Sequence, residues 1–275
     1  MSLEAQIAAL VTASNNLTTA INGKVSEINQ KVKAATDSVP AVVRGLARQV
    51  FYIDAIAGDD NNAGTSAAPL KSTAGAQSRA VNGGVVELRF KGGQTHYVDF
   101  FFEVGRIVVS YYDIASDAEA DRPTLRPSLS SITTEGLREV RGIGVTSGAV
   151  YFTGVNIVCQ YDDGGTLTTN SGFIRYTNSN VAVTLRTCKI ELGNLPFART
   201  YLGYSQRDLA MSVVKIVARA GFESTAKMVL SDVPTLEPTT RLEVRSTTLE
   251  NITGGWAQLM PLRGASNYLT NLGAW

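Results

Sequence analysis

Phe152-Thr153-Gly154-Val155-Asn156-Ile157 and Leu185-Arg186-Thr187-Cys188-Lys189-Ile190 follow one pattern: apolar, two variable residues, small or apolar, one variable residue, aliphatic. The phrase returns at Val140-Arg141-Gly142-Ile143-Gly144-Val145 and Val244-Arg245-Ser246-Thr247-Thr248-Leu249, and more loosely from Leu230 through Val233 to Leu236. Its physical sense is a strand that turns a corner and starts another, with inward residues stacked on their counterparts in the next turn of chain. Unequal spacing between the copies suits a solenoid whose turns differ by loop insertions; a propeller wants a steadier blade length. An ordinary β-sandwich with short strands is the alternative. Phe152, Val155, Ile157, Leu185, Cys188 and Ile190 are therefore expected in one stacked core, with Thr153, Asn156, Arg186 and Lys189 mainly outside or in inter-chain contacts.

The text around these copies is consistently β-rich. Val50–Ile53, Val85–Phe90, Tyr97–Val104, Arg106–Tyr112, Gly148–Gln160, Val181–Leu192, Met211–Ala218 and Arg241–Ile252 are short apolar runs separated by Gly, Asn, Asp, Ser and Thr. A β body is expected over 50–253, followed at 254–275 by a terminal segment holding both tryptophans, Trp256 and Trp275. Together with Tyr268 these fit a cap on the last coil, a contact for a partner protein, or a glycan contact through aromatic faces. An open solenoid needs such a cap to cover its strand edges, which makes capping the plainest reading.

The first 39 residues have a different period. Leu3, Ile7, Leu10, Leu17 and Ile21 recur in steps of four and three, with only Ser14 breaking the row, and after a phase slip Val25, Ile28, Val32, Ala35 and Val39 continue it. This is a heptad seam with a stutter, in which Ile7, Ser14 and Ile21 take a positions and Leu3, Leu10 and Leu17 take d. Such a helix has no core of its own and calls for partner chains, so Leu3, Ile7, Leu10, Leu17, Ile21, Val25, Ile28 and Val32 are the oligomerisation candidates. An amphipathic helix packed on its own domain is the alternative. By itself the seam leans towards two strands and leaves two against three open. Asn22-Gly23 is expected to interrupt the helix where the phase slips, leaving two short helices, and Asp37-Ser38-Val39-Pro40 to end it, because the residue before proline avoids the helical region. Residues 40–49 form the linker, and Ala41 to Gln49 fits either a turn of helix or a strand.

Composition excludes several functions. The chain has 25 Lys and Arg against 24 Asp and Glu, a formal charge of +1, so no global field attracts nucleic acid. Neither a membrane span nor a secretory signal is expected. Cys159 and Cys188 lack metal-type spacing and suit buried free thiols, and a single histidine, His96, leaves little room for metal or triad chemistry. No metal or other cofactor is expected.

The start of the β body carries a family resemblance. Phe51-Tyr52-Ile53-Asp54, then Gly58-Asp59-Asp60-Asn61-Asn62-Ala63-Gly64-Thr65, then Ala68-Pro69-Leu70-Lys71-Ser72, and finally Gly83-Gly84-Val85-Val86 resembles the opening segment of right-handed parallel β-helices of the pectate-lyase-like type. Leu70 stands where that family commonly has an aromatic residue, and Ser72 where it has Thr. With the coiled coil in front, the whole chain resembles a bacteriophage tail fibre or tailspike. The resemblance implies a mainly β protein, a right-handed parallel β-helix preceded by an α-helical coiled coil, assembled as a trimer. It implies virion localisation after synthesis in the host cytoplasm, attachment to baseplate or tail proteins through the N-terminus, and contact with a host surface glycan or another fibre protein. Residues 51–86 would form the capping segment of the body, with Ser72 to Asn82 as a short helical plug. No nucleic acid and no membrane insertion belong to this picture.

Catalysis has few candidates. Asp162 and Asp163 sit in a Gly-Gly loop, Asp113, Asp117, Glu119 and Asp121 precede Arg122, and Glu191 neighbours Lys189. A glycosidase needs two facing carboxylates about 5 to 9 Å apart. Turn composition explains Asp162 and Asp163, and strand alternation explains Glu191. Asp54, Asp59, Asp60, Asn61 and Asn62 are oxygen-rich but lack the spacing of a calcium loop. Gly142-Ile143-Gly144-Val145 lacks the third glycine and the following helix of a dinucleotide site. Tyr97, Phe100, Phe101, Phe102, Tyr111 and Tyr112 form the densest aromatic cluster, which suits packing better than a nucleic-acid platform. The expected function is structural and adhesive, as a tail fibre or fibre adaptor; a polysaccharide depolymerase or an internal connector is the alternative.

Overall fold

The computed structural model describes residues 2–81, 84–102, 105–129, 136–145, 148–161, 166–167, 171–176, 181–200, 207–231, 240–260 and 268–272. The chain divides into two units, Met1–Ala47 and Arg48–Trp275.

The first unit is a single α-helix, Leu3–Ala47. Its amino end is capped by Ser2, whose Oγ accepts from the Ala5 N–H at 3.3 Å. At 1.5 Å per residue it is about 67 Å long. Two expectations are corrected here. The helix runs through Asn22-Gly23 without a break, and it crosses Pro40 to end at Ala47, so the first strand begins at Arg48 instead of Val50. A glycine costs about 1 kcal/mol and a proline about 3 in a helix interior, yet stopping forfeits every later backbone hydrogen bond and a restart needs a new nucleus. Polar side chains pair along the surface, with Glu27 between Lys24 at 2.8 Å and Lys31 at 2.7 Å.

The second unit is mainly β. Its largest sheet contains Arg48–Ile53, Val85–Lys91, Arg106–Tyr112, Gly148–Thr153, Val181–Arg186, Arg207–Ser212, Thr240–Arg245 and Tyr268–Thr270, in chain order and all parallel. A second sheet takes Thr95–Val98, Thr124–Leu129, Asn156–Cys159, Lys189–Leu192, Lys215–Ala218 and Thr248–Glu250. A third takes Phe100–Phe102, Ile143–Val145, Ile174–Tyr176, Ala198–Thr200 and Val229–Ser231. Successive passes of the chain thus add a strand to each sheet in turn, an arrangement compatible with a solenoid or β-helix.

Register turns this order into a core. Phe51, Leu88, Val109, Phe152, Leu185, Met211 and Val244 are consecutive partners along the first sheet. Leu125, Ile157, Ile190, Ile216 and Leu249 do the same along the second. Phe152, Val155, Ile157, Leu185, Cys188 and Ile190 are all buried, while Arg186 is exposed and Thr153, Asn156 and Lys189 are half-buried. The stacked-core expectation therefore holds for these two copies. Phe173 and Phe197 stack at 5.9 Å, each 6.2 Å from Phe152, and tie the third sheet to the first.

The Val140 copy is a correction. Val140–Arg141 pairs antiparallel with Ser128 and Leu129, and Ile143–Val145 joins the third sheet, so its residues match the phrase without sharing its position. The true next copy is Met211-Ser212-Val213-Val214-Lys215-Ile216, in register with Leu185 through Ile190. The loose copy from Leu230 reaches Val233 and Leu236, which lie outside the described residues.

The corner inside the phrase has a fixed geometry. Gly154, Thr187, Val213 and Ser246 all have positive φ, between 48° and 64°. Each turn is held by the next: the N–H groups of Gly154, Thr187 and Val213 donate to the carbonyls of Arg186, Ser212 and Arg245 at 3.0–3.1 Å. Gly154 is glycine for a second reason, because the Tyr111 ring lies 2.1 Å from where its Cβ would be.

Both ends of the body have covers. The carbonyl of Gly64, the N–H of Leu70 and its carbonyl bond to Tyr52 and Asp54 along the open edge of Arg48–Ile53. The short helix Thr73–Gln77 follows, with Ser72 as its cap and Thr73, Gly75 and Ala76 buried. At the other end the helix Gly255–Leu259 leads into Met260. The Leu259 carbonyl accepts from the Met228 N–H at 2.9 Å, beside the last strand of the third sheet, and Leu259 and Met260 are fully buried.

Candidate functional site

The most conspicuous surface feature is the apolar row of the long helix. Leu3, Ile7, Leu10, Leu17, Ile21, Val25, Ile28 and Val32, with Val11 beside them, are all exposed, from 49% at Val25 to 72% at Leu3. They face one way because steps of three and four return to the same side of an α-helix. Burying such a side chain contributes about 1.5–3 kcal/mol. A row of this length in water is a strong drive towards another surface. The side chain of Val39, the last residue of the expected seam, lies outside the described residues.

The catalytic candidates are dispersed. Asp162 and Asp163 lie outside the described residues, as does Trp275. Asp113 approaches Lys91 at 3.5 Å, and Asp121 is engaged by the Ser116 hydroxyl. Glu191 and Glu119 do come together, on a lysine: Lys189 Nζ lies 2.8 Å from Glu191 and 2.6 Å from Glu119, and Arg219 adds a contact to Glu191 at 3.4 Å. Partial burial works against the Lys189 ammonium, but the hydrogen bonds to Glu119 and Glu191 outweigh it and hold its pKa above the usual lysine value. This is a charge ladder on the outer face of the second sheet. Arg122 entered the sequence reading only as the residue after Asp121, and Lys215 and Arg219, which border the ladder with it, went unread, since only the register of distant coils brings them together.

The oxygen-rich opening loop serves turns. Asp60 accepts from the N–H groups of Lys71 and Ser72 at 3.0 and 2.9 Å and from the Ser72 hydroxyl at 2.6 Å. Asp54, almost fully buried, accepts from Ile56 N, Ala57 N and Gln94 Nε2 at 2.9–3.0 Å and meets Lys91 at 3.0 Å. Burial alone would raise the Asp54 pKa, but these donors overcome it and hold the carboxyl well below the usual range. Tyr112, nearby, is pushed up to about 12 by burial and then by the Asp54 charge. No three His, Cys, Asp or Glu side chains among the described residues are grouped to hold a metal ion. Gly142 and Gly144 lie against the Phe173 backbone and the Phe101 ring, next to strands, with no helix after them.

The remaining aromatics divide. Trp256 is half-buried against the core at the C-terminal end, and Tyr268 opens the strand Tyr268–Thr270, paired with Thr240–Leu242. Phe100 and Phe102 are core, whereas Phe101 and Tyr97 are exposed. Cys159 and Cys188 are buried free thiols, and burial pushes Cys188 up to about 11. No helix of the described residues is long and apolar enough to cross a membrane. Compared with protein-family models, curated proteins and solved structures, the chain finds no match.

Proposed function

We propose that this chain is the subunit of a three-chain attachment fibre or fibre adaptor of the bacteriophage-tail kind, built from a coiled-coil stalk and a right-handed parallel β-helical body. The observation that carries the reading is the exposed apolar row on a helix of 45 residues. Its heptad spacing favours self-association over a single groove partner, because identical rows interdigitate along their whole length. The three parallel sheets in chain order support the β-helix, and the resemblance of residues 51–86 supports both the pectate-lyase-like type and the threefold assembly. In this reading the stalk joins baseplate or tail proteins, and the body meets a host surface or the next fibre protein. Repeated weak contacts, multiplied by the number of chains, supply the avidity.

The reading assigns binding and no bond cleavage. Glu119 and Glu191 converge on the ammonium of Lys189, which suits a charge ladder better than an acid and base flanking a sugar bond. Immunogold electron microscopy of particles carrying the chain, with antibody against the β body, tests the proposal. Label confined to fibres or spikes at the tail is the expected result, and label elsewhere overturns it.

A further inference from the structure

A groove of about 240 Å³ runs along the corner that joins the first and second sheets, lined among others by Glu119, Arg122, Lys189, Val213, Lys215 and Ser246. Three cations and one carboxylate line it, but Lys189 is paired with Glu119 and Glu191 and Lys215 with Glu250, so among the described residues Arg122 is the one lining cation without a carboxylate partner. The carboxylate of Glu119 is itself engaged by Lys189 at 2.6 Å.

Arg122 is the unusual member. Its Nη1 donates to the Thr187 carbonyl at 3.1 Å and its Nη2 to the Asp117 carbonyl at 2.9 Å, so two neutral backbone groups orient the guanidinium. Among the described residues no carboxylate pairs with it. A guanidinium carries five N–H donors, so three remain available. Among the described residues Lys215 pairs with Glu250 alone, at 3.0 Å on the exposed surface, and the Ser246 and Thr248 hydroxyls make no hydrogen bond. A half-buried, oriented and uncompensated guanidinium with an ammonium and hydroxyls around it matches the needs of an anionic oxygen group.

We propose that this corner groove binds an oxyanion, a phosphate or a carboxylate borne on a small polar ligand, with Arg122 as the anchor and Lys215 and the Ser246 and Thr248 hydroxyls around it. The volume exceeds that of a single water, about 30 Å³, several-fold, so there is room for the group that carries the charge. The site belongs to a single chain and does not depend on the association of stalks.

The test is calorimetric titration of the full-length protein with inorganic phosphate and, separately, with glucuronate, at constant ionic strength. Saturable binding at one site per chain is expected, weakened by added salt. Arg122→Gln should weaken it about 10- to 100-fold, and Lys215→Gln about 3- to 10-fold, by loss of charge-assisted hydrogen bonds. Tighter binding of phosphate identifies a phosphoryl ligand, and tighter binding of glucuronate identifies a sugar acid. The proposal is overturned if neither probe saturates, or if both substitutions leave the affinity unchanged. Should Arg122→Gln lose its circular-dichroism spectrum, Lys215→Gln decides alone, because its side chain meets only an exposed partner.

Discussion

Leu185→Ala probes the stacked core at its centre. Leu185 is fully buried and lies between Phe152 on one coil and Met211 on the next. The substitution removes three carbons, about 2.4 kcal/mol of transfer free energy at roughly 0.8 per carbon. The cavity adds to that unless the neighbours close in. On one side Phe152 is fixed against Phe173 and Phe197 at 6.2 Å and moves little, whereas Met211 on the other side is flexible and fills part of the space. The expected loss is therefore about 3–4 kcal/mol, inside the usual range of 2–5 for such truncations. Urea unfolding followed by circular dichroism measures it, with Arg186→Ala, the exposed neighbour, expected within about 0.5 kcal/mol of wild type. A loss below about 1 kcal/mol for Leu185→Ala would mean that the coils do not stack through this residue.

Four other perturbations test separate parts of the account. Val213 is a β-branched residue at φ 56° with 56% exposure, so Val213→Gly should stabilise the body by about 0.5–1 kcal/mol, and a loss in the same unfolding assay would contradict the strained corner. Burial pushes His96 below its ordinary value of 6.5, with only partial opposition from the Lys91 carbonyl and the Asp54 charge. The unfolded chain then binds the proton more readily, so this contribution is fully present above about pH 6.5 and declines as pH falls below it. Melting temperature should drop between pH 7 and pH 5, and a His96→Gln variant that shows the same slope would reject the assignment. Asp54 has the same sign at lower pH: its contribution is present above its unfolded value of 3.8 and is lost as pH falls towards the depressed folded value, so Asp54→Asn should flatten the acid limb of the stability curve. Finally, Leu10→Asp with Leu17→Asp places charges in the apolar row, and light scattering should show a smaller assembly; an unchanged one would assign association to the β body.

The period of the sequence revealed what depends on local repetition. Steps of three and four disclosed the apolar row of the helix, and the Phe152 and Leu185 phrases disclosed two coils that do lie side by side. Where a local rule competes with a long element, the sequence misled: Pro40 marks a boundary in isolation but is overridden inside a helix of 45 residues. Met211-Ser212-Val213-Val214-Lys215-Ile216 fits the phrase as fully as the Leu185 copy does, and only the register separates it from the Val140 look-alike. Most of the third sheet was illegible for another reason, since strands such as Ala198–Thr200 and Val229–Ser231 are too short to show a period. The groove residues Arg122 and Thr187 are 65 positions apart, and coil lengths vary from 21 residues between Leu88 and Val109 to 43 between Val109 and Phe152. No fixed spacing in the sequence can announce such a meeting.

The most direct test of the central claim is the solution mass of the intact chain by sedimentation equilibrium at micromolar concentration. With a chain mass of 29.3 kDa, the account predicts a species of about 88 kDa that persists on dilution until the stalks separate. A single species of one chain mass would contradict it, and a stable species of two chain masses would contradict the threefold assembly.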